Sequence, residues 1–242
     1  MEIVKSYLTE NPCYKANVNK SDSRYTNFQK NGPKGLMLHS VGCAQPDASV
    51  FIKNWNKPTY DDACVHAFID ANSGVVFQTL PWNYRGWHCG GSANNTHVGV
   101  EMCESKYIKY TSGAKFEILN KAKAQADCKR AYNSAVELFA MLCKEYKLNP
   151  MKDIISHKEG GKKGVASGHL DPEHYWSGLG MSYTMDGFRA EVKARLNNNT
   201  APQEGRIYRI QVGAFRNRAY AEAYLRQVQA HFPEAFLKAE DL

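Results

Sequence analysis

Apolar residues recur at three- and four-residue steps between Lys121 and Lys147. Tyr132, Ala135, Val136, Phe139, Leu142, Cys143 and Tyr146 fall on one side, and Asn149-Pro150 closes the pattern. This predicts the clearest helix of the chain. Shorter apolar runs read as strands. Gly35 to His39 is a buried-type run that ends on a histidine, Thr96 to Glu104 holds another, and Ile154-Ile155 delivers His157 to the end of a third. Cys64 to Ile69 and Val75 to Thr79 flank Asn72-Ser-Gly74, two β-prone runs around a turn, which is a hairpin signature. Asp47 to Asn54 reads as helical, with Ala48, Phe51 and Ile52 on one side. A further helix runs from near Thr184 through Phe188 and Val192 to Leu196. Residues 1–34 are polar and rich in turn residues (Asn11-Pro12, Ser21-Asp22-Ser23, Asn31-Gly32-Pro33), which predicts irregular structure leading into the core.

Asn197 to Gly205 breaks the composition and reads as a linker, so the chain divides into residues 1–196, a linker at 197–205 and a small unit at 206–242. In that unit Arg206 to Gly213 alternates like a strand. Asn217 can cap a helix with Ala221, Leu225 and Val228 as its apolar positions, and Ala235 to Lys238 reads as a second strand. One βαβ unit of this size is small for an independent core.

Composition changes the picture in three places. A hydrophobic fraction of 43% over 242 residues can bury a sizeable core, and no run is apolar for long enough to insert in a membrane. The seven cysteines are an odd number without a close pair, several in apolar contexts, and are expected to be reduced small hydrophobes. A formal net charge of +7 reads either as attraction to something anionic or as solubility alone. Nucleic acid is disfavoured, because the basic residues are scattered among acidic ones rather than arranged as a stripe. The first residues, Met-Glu-Ile-Val-Lys-Ser, lack a basic-then-apolar secretory pattern, so synthesis in the cytoplasm is expected.

The candidate chemistry gathers around two histidines at strand ends and one loop. His39 and His157 each close an apolar run, and Ser167-Gly-His169-Leu-Asp171-Pro-Glu-His174 follows the second. Neutral imidazole and carboxylate are zinc ligands, and a catalytic site leaves one position open. Taken singly, each histidine reads more readily as a core or turn residue; together with the H-x-D loop they make a candidate metal site. Glu101 sits inside a β-type run, where its carboxylate either faces water or points into a cleft as a proton acceptor. Pro81 to Gly91 is a glycine-flanked aromatic loop carrying Trp82, Tyr84, Arg85, Trp87 and His88, suited to a sugar or peptide groove as well as to a lid on the core.

The ordered set L-H-S, V-H-A-F-I-D, Q-T-L-P-W-N-Y-R-G-W-H, H-V-G-V-E, I-S-H and H-x-D-P, over residues 30–195, resembles the type 2 N-acetylmuramoyl-L-alanine amidases. These zinc enzymes include many phage endolysins and are related to animal peptidoglycan recognition proteins. The resemblance implies an α/β fold with a central mixed sheet flanked by helices, and zinc in a groove that holds glycan-peptide. It implies His39, His157 and Asp171 as metal ligands, with His169 and His174 open as alternatives to Asp171 because the loop is longer than in better-known members. Glu101 matches the family's catalytic base, and His169 stands where a lysine often contacts the oxyanion. Trp82, Arg85, Trp87, His88 and His66 are the expected substrate-groove residues, His66 as a cleft or a support residue. The activity implied is hydrolysis of the bond between N-acetylmuramic acid and L-alanine, as an endolysin released by a holin-type pore or by host lysis; a host autolysin and a non-catalytic peptidoglycan-binding module are the alternatives. Tyr208 to Ala219 resembles the first half of a sporulation-related repeat domain, which binds peptidoglycan; pairing of half-domains from two chains would make a homodimer.

Overall fold

The computed structural model describes residues 1–198, 215 and 217–229. Contacts divide the chain into two compact units, Met1–Ala201 and Pro202–Leu242. The first unit carries eight strands: β1 (Ile3–Lys5), β2 (Gly35–Ser40), β3 (Ala67–Ile69), β4 (Val76–Gln78), β5 (His97–Met102), β6 (Ile108–Ser112), β7 (Lys115–Ile118) and β8 (Ile154–Ser156). Six of them form one sheet in the order β1-β4-β3-β5-β2-β8, and β6 and β7 form a separate hairpin. Only the β3–β4 pair of the large sheet is antiparallel, so the sheet is mixed and β3, β5, β2 and β8 run side by side in one direction.

Eight helices pack around these strands: α1 (Pro12–Val18), α2 (Ser23–Asn31), α3 (Ala48–Trp55), α4 (Lys121–Tyr146), α5 (Pro150–Asp153), α6 (His157–Lys162), α7 (Glu173–Gly178) and α8 (Met185–Asn198). The apolar stripe of α4 does what its spacing predicts. Tyr132, Ala135, Phe139 and Leu142 are buried in one cluster with Leu36 and Leu38 of β2, Val98 and Val100 of β5, and Ile154 of β8. Successive residues of a strand face opposite ways. Met37 and Ile155 accordingly belong to a different cluster, with Cys89 and Ala93, on the other face. That second face carries the polar groups described below. All seven cysteines are free thiols, and all but Cys43 are buried.

Residues 1–34 differ from the irregular structure predicted for them: they contain β1, α1 and α2. Asn11 and Asp22, which read as turn residues, are helix N-caps whose side chains accept the backbone N–H groups of Cys13 and Arg24. Pro12 stands in the first turn of α1, where a missing N–H costs nothing. Tyr25 and Phe28 are buried and anchor α2. The β6–β7 hairpin and the short helices α5, α6 and α7 were not predicted from the sequence.

In the second unit, α9 (Arg218–Gln229) begins after Asn217, whose Oδ1 accepts the N–H of Ala219 at 2.9 Å. The linker does not begin at 197 as expected, because Asn197 and Asn198 are the last residues of α8; the rest of it, and the strands expected at 206–213 and 235–238, lie outside the described residues. Among the described residues no helix is long and apolar enough to cross a membrane.

Candidate metal centre and groove

Register places the site. In the parallel β2–β5 pair His39 stands opposite Glu101, and Leu38 stands opposite Ser156 of β8, which puts His157 level with His39. Three polar residues thus sit at the carboxyl ends of three adjacent strands, where ligands bind in open α/β sheets. Ser156 starts α6 with a capping box shared with Glu159, so His157 leaves the strand as the first residue of a helix.

The hydrogen-bond network assigns the tautomers. The His97 carbonyl can only accept, so His88 Nε2–H donates to it at 3.1 Å and His88 Nδ1 is left as an acceptor. His39 Nε2–H donates to that atom at 3.0 Å, which leaves the lone pair of His39 on Nδ1. Ser167 Oγ donates to the Cys89 carbonyl at 3.1 Å and therefore accepts from His157 Nε2–H, also at 3.1 Å. The lone pair of His157 is again on Nδ1. The two Nδ1 atoms are 3.0 Å apart. Asp171 completes the set, with Oδ2 at 3.3 Å from His39 Nδ1 and Oδ1 at 3.5 Å from His157 Nδ1.

Three electron pairs therefore converge, with no proton between them in the neutral tautomers. Burial holds His39 below the usual histidine range. Burial also pushes the Asp171 carboxyl up, but its contacts with His157 and His39 outweigh that and keep it ionised. Two neutral imidazoles and a carboxylate are a zinc donor set. Ligand atoms of a tetrahedral zinc at about 2.1 Å stand about 3.4 Å apart, and the separations here are of that size. Among the described residues this is the one group of clustered donors of this kind.

A groove of about 760 Å³ opens over these residues. Ser40 to Gly42, Asp62, Trp87 to Gly90, Glu101, Tyr110, Gly113, Ser167 to Asp171 and His174 line it. Glu101 is half-buried, and its Oε2 has no hydrogen-bond partner among the described residues. Burial pushes its carboxyl well above the usual range, and the Asp171 and Glu104 carboxylates add to the effect. His88 packs closely on Gly99: a Cβ there would meet the imidazole at 2.3 Å, so glycine is what lets the ring reach His39.

A family profile described as N-acetylmuramoyl-L-alanine amidase matches residues 29–174, more than half of the chain. The chain belongs to this amidase family. A second profile, for the SPOR domain, matches residues 204–241. The amidase CwlH of Bacillus subtilis (strain 168) is 26% identical over 129 residues, covering 52% of this chain and 43% of CwlH. The match therefore spans less than half the length of that relative. Among solved structures, the Staphylococcus aureus hydrolase AmiA in complex with its ligand is 21% identical with a TM-score of 0.54, covering 69% of this chain and 74% of AmiA. A single-residue mutant of PlyL is 22% identical with a TM-score of 0.51, covering 80% of this chain and 99% of that one. Those two likenesses establish the fold: a central mixed sheet flanked by helices.

Within the amidase domain, the residues singled out from sequence divide into two groups. His39, His157, Asp171, Glu101, His88, Trp87 and His169 all meet in or beneath the groove. His88 acts from below, on His39, and Trp87 is fixed by its Nε1–H donating to Tyr25 Oη at 3.1 Å. Of the alternatives to Asp171, His169 is exposed and turned to Ser167, with Nδ1 3.0 Å from Oγ, and His174 is turned to Tyr110.

Three of the expected groove residues lie elsewhere. His66 is fully buried, with Nε2–H donating to the Tyr84 carbonyl at 2.7 Å and Nδ1 accepting from Gly99 N–H at 3.0 Å. Burial lowers it to about 4, so it is a neutral strut of the scaffold. Arg85 is turned inward, donating from Nε to Asn95 Oδ1 at 2.6 Å and lying 5.2 Å over the Tyr25 ring. Trp82 borders a separate hollow beside Lys5, Gln29 and Tyr146. Sequence reasoning assigned no role to Glu104, Tyr110 or Ser167, which also meet Gly42, His174 and Cys89 across 62, 64 and 78 residues of chain.

Proposed function

We propose that this chain is a zinc-dependent peptidoglycan hydrolase that cleaves the amide between the lactyl group of N-acetylmuramic acid and the L-alanine of the stem peptide. The observation that carries the reading is the convergence of His39 Nδ1, His157 Nδ1 and the Asp171 carboxylate beside the unpartnered oxygen of Glu101 at one end of the sheet.

His39, His157 and Asp171 would hold the metal, and His88 and Ser167 would keep each imidazole in the tautomer that leaves Nδ1 free. Bound there, zinc supplies Lewis acidity that polarises the scissile carbonyl and makes water a stronger nucleophile. Glu101 takes a proton from the attacking water as the oxygen bonds to the carbonyl carbon. Its raised affinity for protons, set by burial, then suits it to hand that proton to the alanine nitrogen as the carbon–nitrogen bond breaks. One carboxyl so serves both halves of the hydrolysis. His169 stands at the groove rim; with Nδ1–H spent on Ser167, its Nε2 donates to an oxyanion only when the ring is protonated.

Residues 1–198 are the hydrolytic domain in this reading, and residues 206–242 are a wall-binding unit behind a linker that follows α8. A net charge of +7 suits an anionic wall, and we take the chain to act as a phage or prophage endolysin. The test is metal content together with release of free N-terminal L-alanine from purified walls. About one zinc per chain, with release lost on chelation and restored by zinc, supports the reading. Walls that stay intact with fully loaded protein overturn it.

A further inference from the structure

Three parts of the chain meet behind one wall of the groove. Glu104, just beyond the end of β5, is fully buried. Its Oε2 accepts the Tyr110 hydroxyl proton at 2.6 Å, and its Oε1 accepts the backbone N–H of Gly42 at 3.2 Å. Tyr110, on β6, has then spent its only proton, so its oxygen accepts from His174 Nε2–H at 2.8 Å. A neutral His174 protonated on Nε2 carries its lone pair on Nδ1. That atom is buried and has no hydrogen-bond partner among the described residues. It is also outside the cluster of donor atoms formed by His39, His157 and Asp171. Tyr110 and His174 both line the groove, as does Glu101, whose Oε2 is likewise unpartnered. A buried acceptor left unpaired is costly, and the cost is recovered when a ligand donates to it. A stem peptide presents a row of amide N–H donors.

We propose that His174 is a substrate-contacting residue whose Nδ1 accepts a backbone N–H of the stem peptide, with Tyr110 and Glu104 as positioning residues that fix its tautomer and its ring. The proposal rests on the amidase reading and names one of the contacts that reading leaves open. Glutamine at this position keeps a polar group near Tyr110 and removes the Nδ1 acceptor; asparagine keeps an oxygen near the Nδ1 position and gives up the Tyr110 bond.

The experiment measures kcat and KM of the full chain on a soluble muramoyl-peptide at pH 8. That is above the value of about 7 to which burial pushes Glu104, so its carboxylate is an acceptor. His174→Gln should raise KM about tenfold, the size of one lost hydrogen bond to a buried acceptor, with zinc content equal to wild type. His174→Asn should recover part of that loss. Tyr110→Phe and Glu104→Gln should raise KM by smaller factors while kcat holds. An unchanged KM in His174→Gln overturns the proposal, as does a fall in zinc content and kcat in place of the KM effect. A second measurement stands apart from how well these variants fold: a substrate N-methylated at its stem-peptide amides should lose more with wild type than with His174→Gln, and an equal loss overturns the proposal. Wild-type protein that carries zinc and releases no alanine overturns the amidase reading and this contact together; active wild type with an unshifted His174→Gln overturns the contact alone.

Discussion

Leu38 and His39 are neighbours in β2, yet they serve opposite faces of the sheet. Toward α4, the strands present Leu36, Leu38, Val98, Val100 and Ile154, all with essentially no exposed surface. Each such side chain contributes about 1.5–3 kcal/mol on burial. Toward the groove, the same strands present Met37 and Ile155 over a small apolar patch, then His39, Glu101 and His157 at their carboxyl ends. His39 and Glu101 are held where burial opposes their charges. The sheet thus keeps its apolar core on one face and gathers its polar groups on the other, with a period of two residues as the divider. Changes on one face should therefore move one property and leave the other.

The largest effect is expected from Glu101→Gln. On the proposed mechanism, loss of a group that both takes and returns a proton should lower alanine release by about 10²–10⁴-fold. Thermal stability and zinc content should stay at wild-type values, because the amide keeps the shape of the carboxyl and Glu101 is not among the clustered donor atoms. Turnover within a few-fold of wild type would show that another group carries the proton.

Phe139→Ala probes the other face. Phe139 is fully buried on α4 and packs edge-on to Phe188 at 5.2 Å. Its loss should cost about 3–5 kcal/mol of stability, seen as a lower denaturant midpoint. The kcat per folded molecule, measured well below the melting temperature, should not change. A lowered kcat in fully folded protein would mean that the two faces are coupled through the sheet.

Gly99→Ala tests the seam between them, since Gly99 is on a strand whose next residue, Val100, belongs to the α4 core. A methyl group there would meet the His88 ring at 2.3 Å and push it off His39. A partner that orients a metal ligand in this way is worth about 10–100-fold in metal affinity, so zinc should be held more weakly by that factor in competition with a chelator. An unaltered zinc affinity would mean that His88 does not govern the His39 tautomer.

These contrasts also explain what was legible beforehand. The α4 stripe and the apolar runs ending in His39 and His157 could be read because their signal is periodic and local. Glu101 and Asp171 could be read as candidates from the residues, the family resemblance gave them roles, and the groove gathers both. The first 34 residues misled because Asn11, Pro12 and Asp22 serve helix starts as readily as turns, and only the burial of Tyr25 and Phe28 decides between them. His66, Arg85 and Trp82 misled for another reason. A histidine whose nitrogens meet Tyr84 O and Gly99 N has the same letter as one that meets a substrate. Glu104 and Tyr110 were hidden, and His174 was read as a candidate metal ligand, because the contact between Tyr110 and His174 spans 64 residues with no repeat to announce it.

The smallest effect is expected at the end of α4. Lys147 caps that helix with φ at 56° in the left-handed region, exposed, its N–H bonded to the Cys143 carbonyl. An L-side chain there costs roughly 1–2 kcal/mol. Glycine removes that strain but brings about 0.5–1 kcal/mol of extra backbone entropy to the unfolded chain. The net gain for Lys147→Gly should be about 0.5–1 kcal/mol, or roughly 1–4 °C in melting temperature for a domain of this size. Because the change lies on the α4 side, KM and kcat for wall hydrolysis should stay where they are. A lower melting temperature would mean that Lys147 makes a stabilising contact outweighing its backbone strain; a higher one with altered KM would mean that the helix end and the groove are not independent after all.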